Sequence, residues 1–232
     1  MQDRTLLRIG AVSLIAGFVS NIIFAVLHQM TAPPSDPSDM EATLQQIADS
    51  STWAGIHVFI MAAFLLFVGG LLALSRSFTE EPGAALARLG FSAALLGVAI
   101  LSVSEAILGG STMKELADAW AAAADKEGPF AVAEAMLLVS YDIFSWGNVV
   151  FYGVTPILFG LAIVLSDLYP KWLGWVAVVG GIGNVLIGIV LFSQGWSQGT
   201  NIVWNLFIFV ITLWLLVMGV LMWRKAGAAA NP

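Results

Sequence analysis

Two histidines, His28 and His57, and two carboxylates, Glu105 and Asp142, sit in or beside long apolar stretches of this chain. An ionisable side chain in such surroundings is costly unless it finds a partner or water. The histidines are the only 2 in the protein. Several chemistries suit this set. Zinc accepts imidazole nitrogen and carboxylate oxygen and keeps an open position for water. Bound that way, the water becomes a nucleophile near neutral pH. Haem between His28 and His57 is a second option, since histidine is a common axial ligand. A proton-linked network is a third, because imidazole titrates near physiological pH. The plain alternative is that all four groups meet water or headgroups separately. Asn148, Tyr152, Asn201 and Asn205 are polar groups able to join the set.

Other chemistry has little support. No His-Glu-x-x-His, phosphate loop or dinucleotide fingerprint is present. Ser102, Ser104 and Ser145 lie near the cluster, but a serine in a membrane helix usually bonds its own backbone. With 0 cysteines there are no disulfides, thiolate metal sites or redox thiols. The net charge of -6 without a basic patch excludes a nucleic-acid partner.

The elements that must position these residues are membrane spans. Hydrophobic residues make up 59% of the chain and charged ones 10%, against about 25% in soluble domains. Runs of the roughly 20 apolar residues that a span needs cover 9–30, 53–75, 89–110, 143–165, 172–192 and 202–223. The first run is too long for a signal-peptide core, and no cleavage site follows it. The fold expected is all-α: one domain, residues 1–232, with six transmembrane helices. Arg4, Arg8, Arg76, Arg88, Lys171, Arg224 and Lys225 flank one side, and Lys114 and Lys126 the other. The positive-inside rule therefore places both termini inside. Trp53, Trp146, Trp196 and Trp204 then read as outer-interface anchors, and Trp172, Trp175 and Trp223 as inner ones.

Between spans, Pro33-Pro34 and Pro37 break the chain, and Ser38-x-x-Glu41 reads as a capping box. It opens an amphipathic helix over 39–49, with Met40, Leu44 and Ile47 on one face. A second, over 113–125, opens at Thr112-x-x-Glu115 and ends at Gly128-Pro129. Both either rest at the interface or lid a cavity. On the other side, Glu81-Pro82 starts the third span.

An internal repeat links these elements. Arg8-Ile9-Gly10, Arg88-Leu89-Gly90 and Trp172-Leu173-Gly174 are each followed seven residues on by Gly17, Gly97 and Gly181. The even spans share an end at Leu74-Ser75-Arg76, Leu165-Ser166-Asp167 and Met222-Trp223-Arg224. The pattern predicts three tandem helical hairpins. Counted back from the even-span ends, His57, Asn148 and Asn205 become equivalent, a polar layer at one height. At 1.5 Å per residue, His28, His57 and Glu105 lie about 25–30 Å from the inner charges. Asp142 lies about 37 Å away, less if Pro156, Gly147 and Gly153 bend the fourth span.

The order of His28 before an acidic loop, Trp53-Ala54-Gly55-Ile56-His57, Ala119-Trp120 and Tyr169-Pro170-Lys171-Trp172-Leu173-Gly174 resembles a group of bacterial six-helix membrane proteins. They share a domain of unknown function, the DUF4386-like group. The resemblance implies that fold and a bacterial cytoplasmic membrane, and it carries no activity. The expected function is binding of a small molecule, lipid or ion in an outward-facing polar pocket. The ligand-site candidates are His28, His57, Glu105, Asp142, Asn148, Tyr152 and Asn205. A zinc-dependent membrane enzyme using His28, His57, Glu105 and Asp142 and a proton-linked transporter are the alternatives. Membrane lipids are the expected partners, and the residues assign no oligomeric state. Topology is directly testable. Cysteines replacing Ser35 and Thr200 should react with an impermeant reagent applied to intact cells, and cysteines replacing Gln2 and Ala230 should not. Labelling of the termini from outside would reverse the orientation.

Overall fold

A computed structural model describes residues 4–31 and 36–228, apart from the side chains of Gln29, Thr31 and Ala228. Pro33-Pro34 and the labelling positions Gln2, Ser35 and Ala230 lie outside the described residues. Every regular element described is helical: α1 (Arg4–Thr31), α2 (Met40–Asp49), α3 (Trp53–Ser77), α4 (Gly83–Leu108), α5 (Ser111–Ala122) and α6 (Glu127–Asn148). A π-helical segment (Val149–Val154), α7 (Thr155–Val164), α8 (Lys171–Gln194) and α9 (Gln198–Ala228) follow. Six of the resulting helices are long and apolar enough to cross a membrane, counting α6, the π segment and α7 as one. Large apolar side chains such as Leu65, Leu89, Val179, Ile202 and Leu206 stay exposed around the bundle. A soluble protein rarely leaves so continuous a belt uncovered. The protein is a multi-pass membrane protein.

Consecutive spans pack side by side, and α9 returns against α1, so the six close a ring in chain order. A core of Phe64, Phe67, Leu71, Leu101, Phe151 and Phe159 fills its centre. Gly10 on α1 meets Met222 on α9, so the two terminal regions share one end, with Arg8 and Arg224. The opposite end carries a cap. There α2 and α5 pack on the projecting start of α6, burying Leu44, Ile47, Met113, Trp120 and Leu137 in a separate core.

The motif glycines all stand at tight helix contacts, but they do not make three equivalent hairpins. A Cβ at Gly17 would meet the Phe67 ring of α3 at 2.8 Å, and one at Gly97 the Phe151 backbone nitrogen at 2.7 Å. Both contacts lie within a hairpin. Gly174 and Gly181 instead face backward, to Gly160 and Gly153 of the fourth span. Toward its own hairpin partner α9, α8 offers Gly180 and Gly183. A span between two neighbours needs two small faces, and one sequence motif marks only one of them.

Local expectations change at several ends. Asp39, not Ser38, caps α2 by accepting from the Ala42 N–H. The start of α5 has no side-chain cap, and its buried face is Met113, Ala117 and Trp120. That helix stops at Ala122, while Gly128-Pro129 falls in the first turn of α6 instead of ending a helix. Proline is tolerated there because its missing N–H would have no helical partner. The fourth span thus begins at Glu127, far before the 143 expected from the apolar run. Its 38 residues extend about 57 Å, well beyond a hydrocarbon core of about 30 Å.

The glycine contacts predict a graded response. Gly97→Leu and Gly181→Leu meet backbone, which cannot step aside, and should each lower stability in detergent by at least the ~1–3 kcal/mol of overpacking. Gly17→Leu meets a side chain and should cost less, and Gly55→Ala, with open space around it, should be near neutral. Equal melting temperatures for all four variants would remove these contacts from the account.

Candidate functional site

Beneath the cap the ring opens into a cavity of about 330 Å³. Helical spacing sets its walls. On α1, Asn21, Phe24 and His28 fall on one face, and on α3, Trp53, His57, Ile60 and Phe64 do the same. Glu105 and Leu108 end α4 at that level. Tyr141 and Phe144 come from α6 and Tyr152 from the π segment. On α9, Asn201, Trp204, Asn205 and Ile208 repeat the helical spacing. Trp196 closes the side, and Pro37 with Thr43, Gln46 and Ile47 of α2 forms the roof. The first amphipathic helix thus contributes lining residues to the cavity.

One wall is an aromatic stack around the histidines. The His28 and His57 rings are 5.6 Å apart between centroids, and Phe24 lies 5.3 Å from each. Trp53 packs 4.5 Å from His57. The His57 Nδ1 sits 2.7 Å from the Trp53 carbonyl oxygen. A carbonyl can only accept, so Nδ1 carries the proton and Nε2 is the acceptor of the neutral ring. Trp53 in turn donates its indole N–H to the Leu108 carbonyl at 2.8 Å. Gly109 lies under the His57 ring, where a Cβ would come within 2.5 Å of it. The start of α3 and the end of α4 are thereby locked together, one turn from Glu105.

The facing wall holds Tyr141, Phe144, Trp196 and Trp204, with Trp196 and Trp204 rings 5.2 Å apart. Trp196 donates to the Ser145 hydroxyl at 3.2 Å. Trp204 Nε1 is buried without a hydrogen-bond partner, and so is Glu105 Oε2. Leaving such an atom unsatisfied costs about 1–3 kcal/mol, more for a charged group. Tyr152 lies within electrostatic reach of Glu105 and shares a hydrogen bond with the Asn21 side chain. Its position follows from the π segment. Pro156, at the start of α7, has no N–H, and the Thr155 hydroxyl donates five residues back to the Val150 carbonyl at 3.1 Å. A π turn accommodates both features and rotates Tyr152 inward.

The structure brings together His28, His57, Glu105, Tyr152 and Asn205 on this cavity. Two candidates stand elsewhere. Asp142 is exposed on α6, because the packed orientation of that helix sets the residue on its outer face. Asn148 is fully buried outside the lining, its amide donating to the Phe144 carbonyl at 2.8 Å. The polar layer of His57, Asn148 and Asn205 is therefore split. Among the described residues no three His, Asp or Glu side chains converge as a metal set. Of the four groups considered for zinc, His28, His57 and Glu105 line the cavity and Asp142 stands apart from them. Three tryptophans read as outer-interface anchors, Trp53, Trp196 and Trp204, are cavity walls, whereas Trp146 is 47% exposed on the lipid face. Asn21 was missed, although it lies seven residues, two helical turns, before His28.

The roof is tied down at its edge. Asp36 accepts from the Ser38 N–H at 3.0 Å, the Ser38 hydroxyl at 2.8 Å and the Gln198 N–H at 3.1 Å. The last bond joins the loop before α2 to the start of α9. The Ser38 backbone and hydroxyl bonds, then the Gln198 bond, hold the Asp36 carboxyl below its ordinary 3.8. A depressed carboxylate contributes above its unfolded value and loses that contribution as pH falls through the folded one. Spin labels at Glu41 and Gly199 should keep one narrow distance distribution from neutral pH down to the ordinary carboxylate value of 3.8, and broaden only below it. Asp36→Ala should broaden it at neutral pH, and an unchanged distribution in that variant would dismiss the tie.

No curated protein and no solved structure matches the chain. One family model does, over residues 9–220, which reaches into all six spans and takes in every cavity-lining residue. By that match the chain belongs to the family described as domain of unknown function DUF4386.

Proposed function

We propose that this protein binds a small organic molecule in the cavity beneath the cap, on the outer side of the membrane, with both termini inside. The observation that carries the reading is that two residues with orphaned polar atoms, Glu105 (Oε2) and Trp204 (Nε1), line one aromatic-walled cavity of about 330 Å³. Ligand pockets are generally apolar clefts of about 300–1,000 Å³ with a few placed polar groups, and this cavity matches that pattern. The outward orientation rests on the charges: Arg8, Arg76, Arg88 and Arg224 gather at the terminal end, away from the cap. Below the cavity the ring is filled by Phe67, Leu71, Phe151 and Phe159, so binding is favoured over passage to the inner side.

Native mass spectrometry of the purified protein is the test. Wild type should carry a non-covalent organic adduct that Ala25→Trp, filling the cavity from α1, removes without loss of the fold. Wild type without an adduct, or an adduct that survives in the filled variant, would overturn the assignment to this cavity.

A further inference from the structure

We infer that the ligand is an organic cation, an amine or quaternary ammonium carrying a hydrogen-bond acceptor, held between Glu105 and the Trp196–Trp204 wall. The inference rests on the binding reading above and adds the chemical class.

Charge is the first argument. The titratable groups that line the cavity are Glu105, His28, His57, Tyr141 and Tyr152, and no Lys or Arg is among the described lining residues. Glu105 is the one carboxyl among these lining residues. That carboxyl is buried at 5% exposure with Oε2 unpartnered. Its neighbour Tyr152 is already engaged with Asn21. An anionic ligand would meet repulsion here and no compensating cation. A neutral ligand would supply no counter-charge if that carboxyl ionised. A cation supplies it.

The walls are the second argument, independent of charge count. Aromatic faces attract cations within about 6 Å of the ring, tryptophan most strongly, and gain strength where water is excluded. Six aromatic residues other than the histidines and tyrosines line the cavity, among them Trp53, Trp196 and Trp204. An amine between such rings loses less on leaving water than it would in an aliphatic cavity. Trp204 Nε1 is a buried donor with no acceptor. An oxygen on the ligand satisfies it, so the molecule is a cation with an ether, carbonyl or hydroxyl group.

Acetylcholine and its uncharged isostere 3,3-dimethylbutyl acetate separate charge from shape. Each is titrated into the purified full-length protein at about pH 8, where ordinary imidazole is neutral, and read by tryptophan fluorescence. Acetylcholine should bind at least about tenfold more tightly than the isostere. Glu105→Gln should reduce that preference to about threefold or less. Trp204→Leu should weaken the cation more than the isostere, and it serves if the Glu105 variant fails to fold. Equal or tighter binding of the isostere by wild type overturns the cation class and leaves the cavity reading intact. Binding of neither probe also overturns the class, and the adduct experiment then decides the cavity reading separately. Preference unchanged in both variants overturns the placement between Glu105 and Trp204.

Discussion

The backbones of the fourth and fifth spans touch at Gly160 and Gly174. A Cβ on either glycine would meet the other's carbonyl oxygen, at 2.5 and 2.6 Å. Seven residues along each helix, Gly153 and Gly181 repeat the contact. In lipid, apolar surface gains nothing by leaving its solvent, so close van der Waals approach has to hold helices together. The rest of the site follows from this seam. It anchors α7 through Gly160 and the π segment through Gly153, on the two sides of Pro156. Tyr152 is carried in that segment and so points to the cavity. On its other face the same span meets Gly90 and Gly97 of α4. That contact sets the height at which α4 ends, and with it Glu105.

The cap is held by different physics. Leu44, Ile47, Met113, Trp120 and Leu137 pack beyond the membrane-spanning lengths, where water makes burial favourable by about 1.5–3 kcal/mol for each large side chain. Polar ties accompany it: Lys114 reaches the Ala48 carbonyl at 3.1 Å and also Asp118. The protein therefore has a glycine-seamed bundle in lipid and a water-driven miniature core on top. The cavity lies where the two meet, and its roof comes from the cap while its walls come from the bundle. Such a boundary is where a polar group is least expensive to expose and an apolar wall is close by. A ligand with one charged end and an apolar body suits both sides of it.

Close packing elsewhere makes the unpaired atoms informative. Serines and tryptophans across the bundle find carbonyls on neighbouring spans, as Ser20 does at Phe59, Ser104 at Ser140 and Trp214 at Leu173. Against that background, Glu105 Oε2 and Trp204 Nε1 stand out because both belong to residues that line one cavity. Asn148 Oδ1 and Asn184 Oδ1 are also orphaned, but each amide still donates to its own helix. Their residual cost is that of one neutral acceptor.

By itself the amino-acid sequence determined the six spans, the amphipathic first cap helix and the conspicuous position of Glu105. Each depends on local quantities: apolar run length, helical periodicity and the cost of a carboxyl in lipid. His28 and His57 were legible as a pair because span lengths set their heights. Lateral arrangement was not legible. Height is a count along one helix, whereas convergence depends on the rotation of each helix about its axis. Tertiary packing alone decides that rotation. The exposed Asp142, the buried Asn148 and the inward Trp53, Trp196 and Trp204 are all consequences of it. The same limit applies to the repeat. Gly174 and Gly181 share a motif with Gly10 and Gly17, yet they serve the preceding span, because a glycine specifies close approach without specifying the partner.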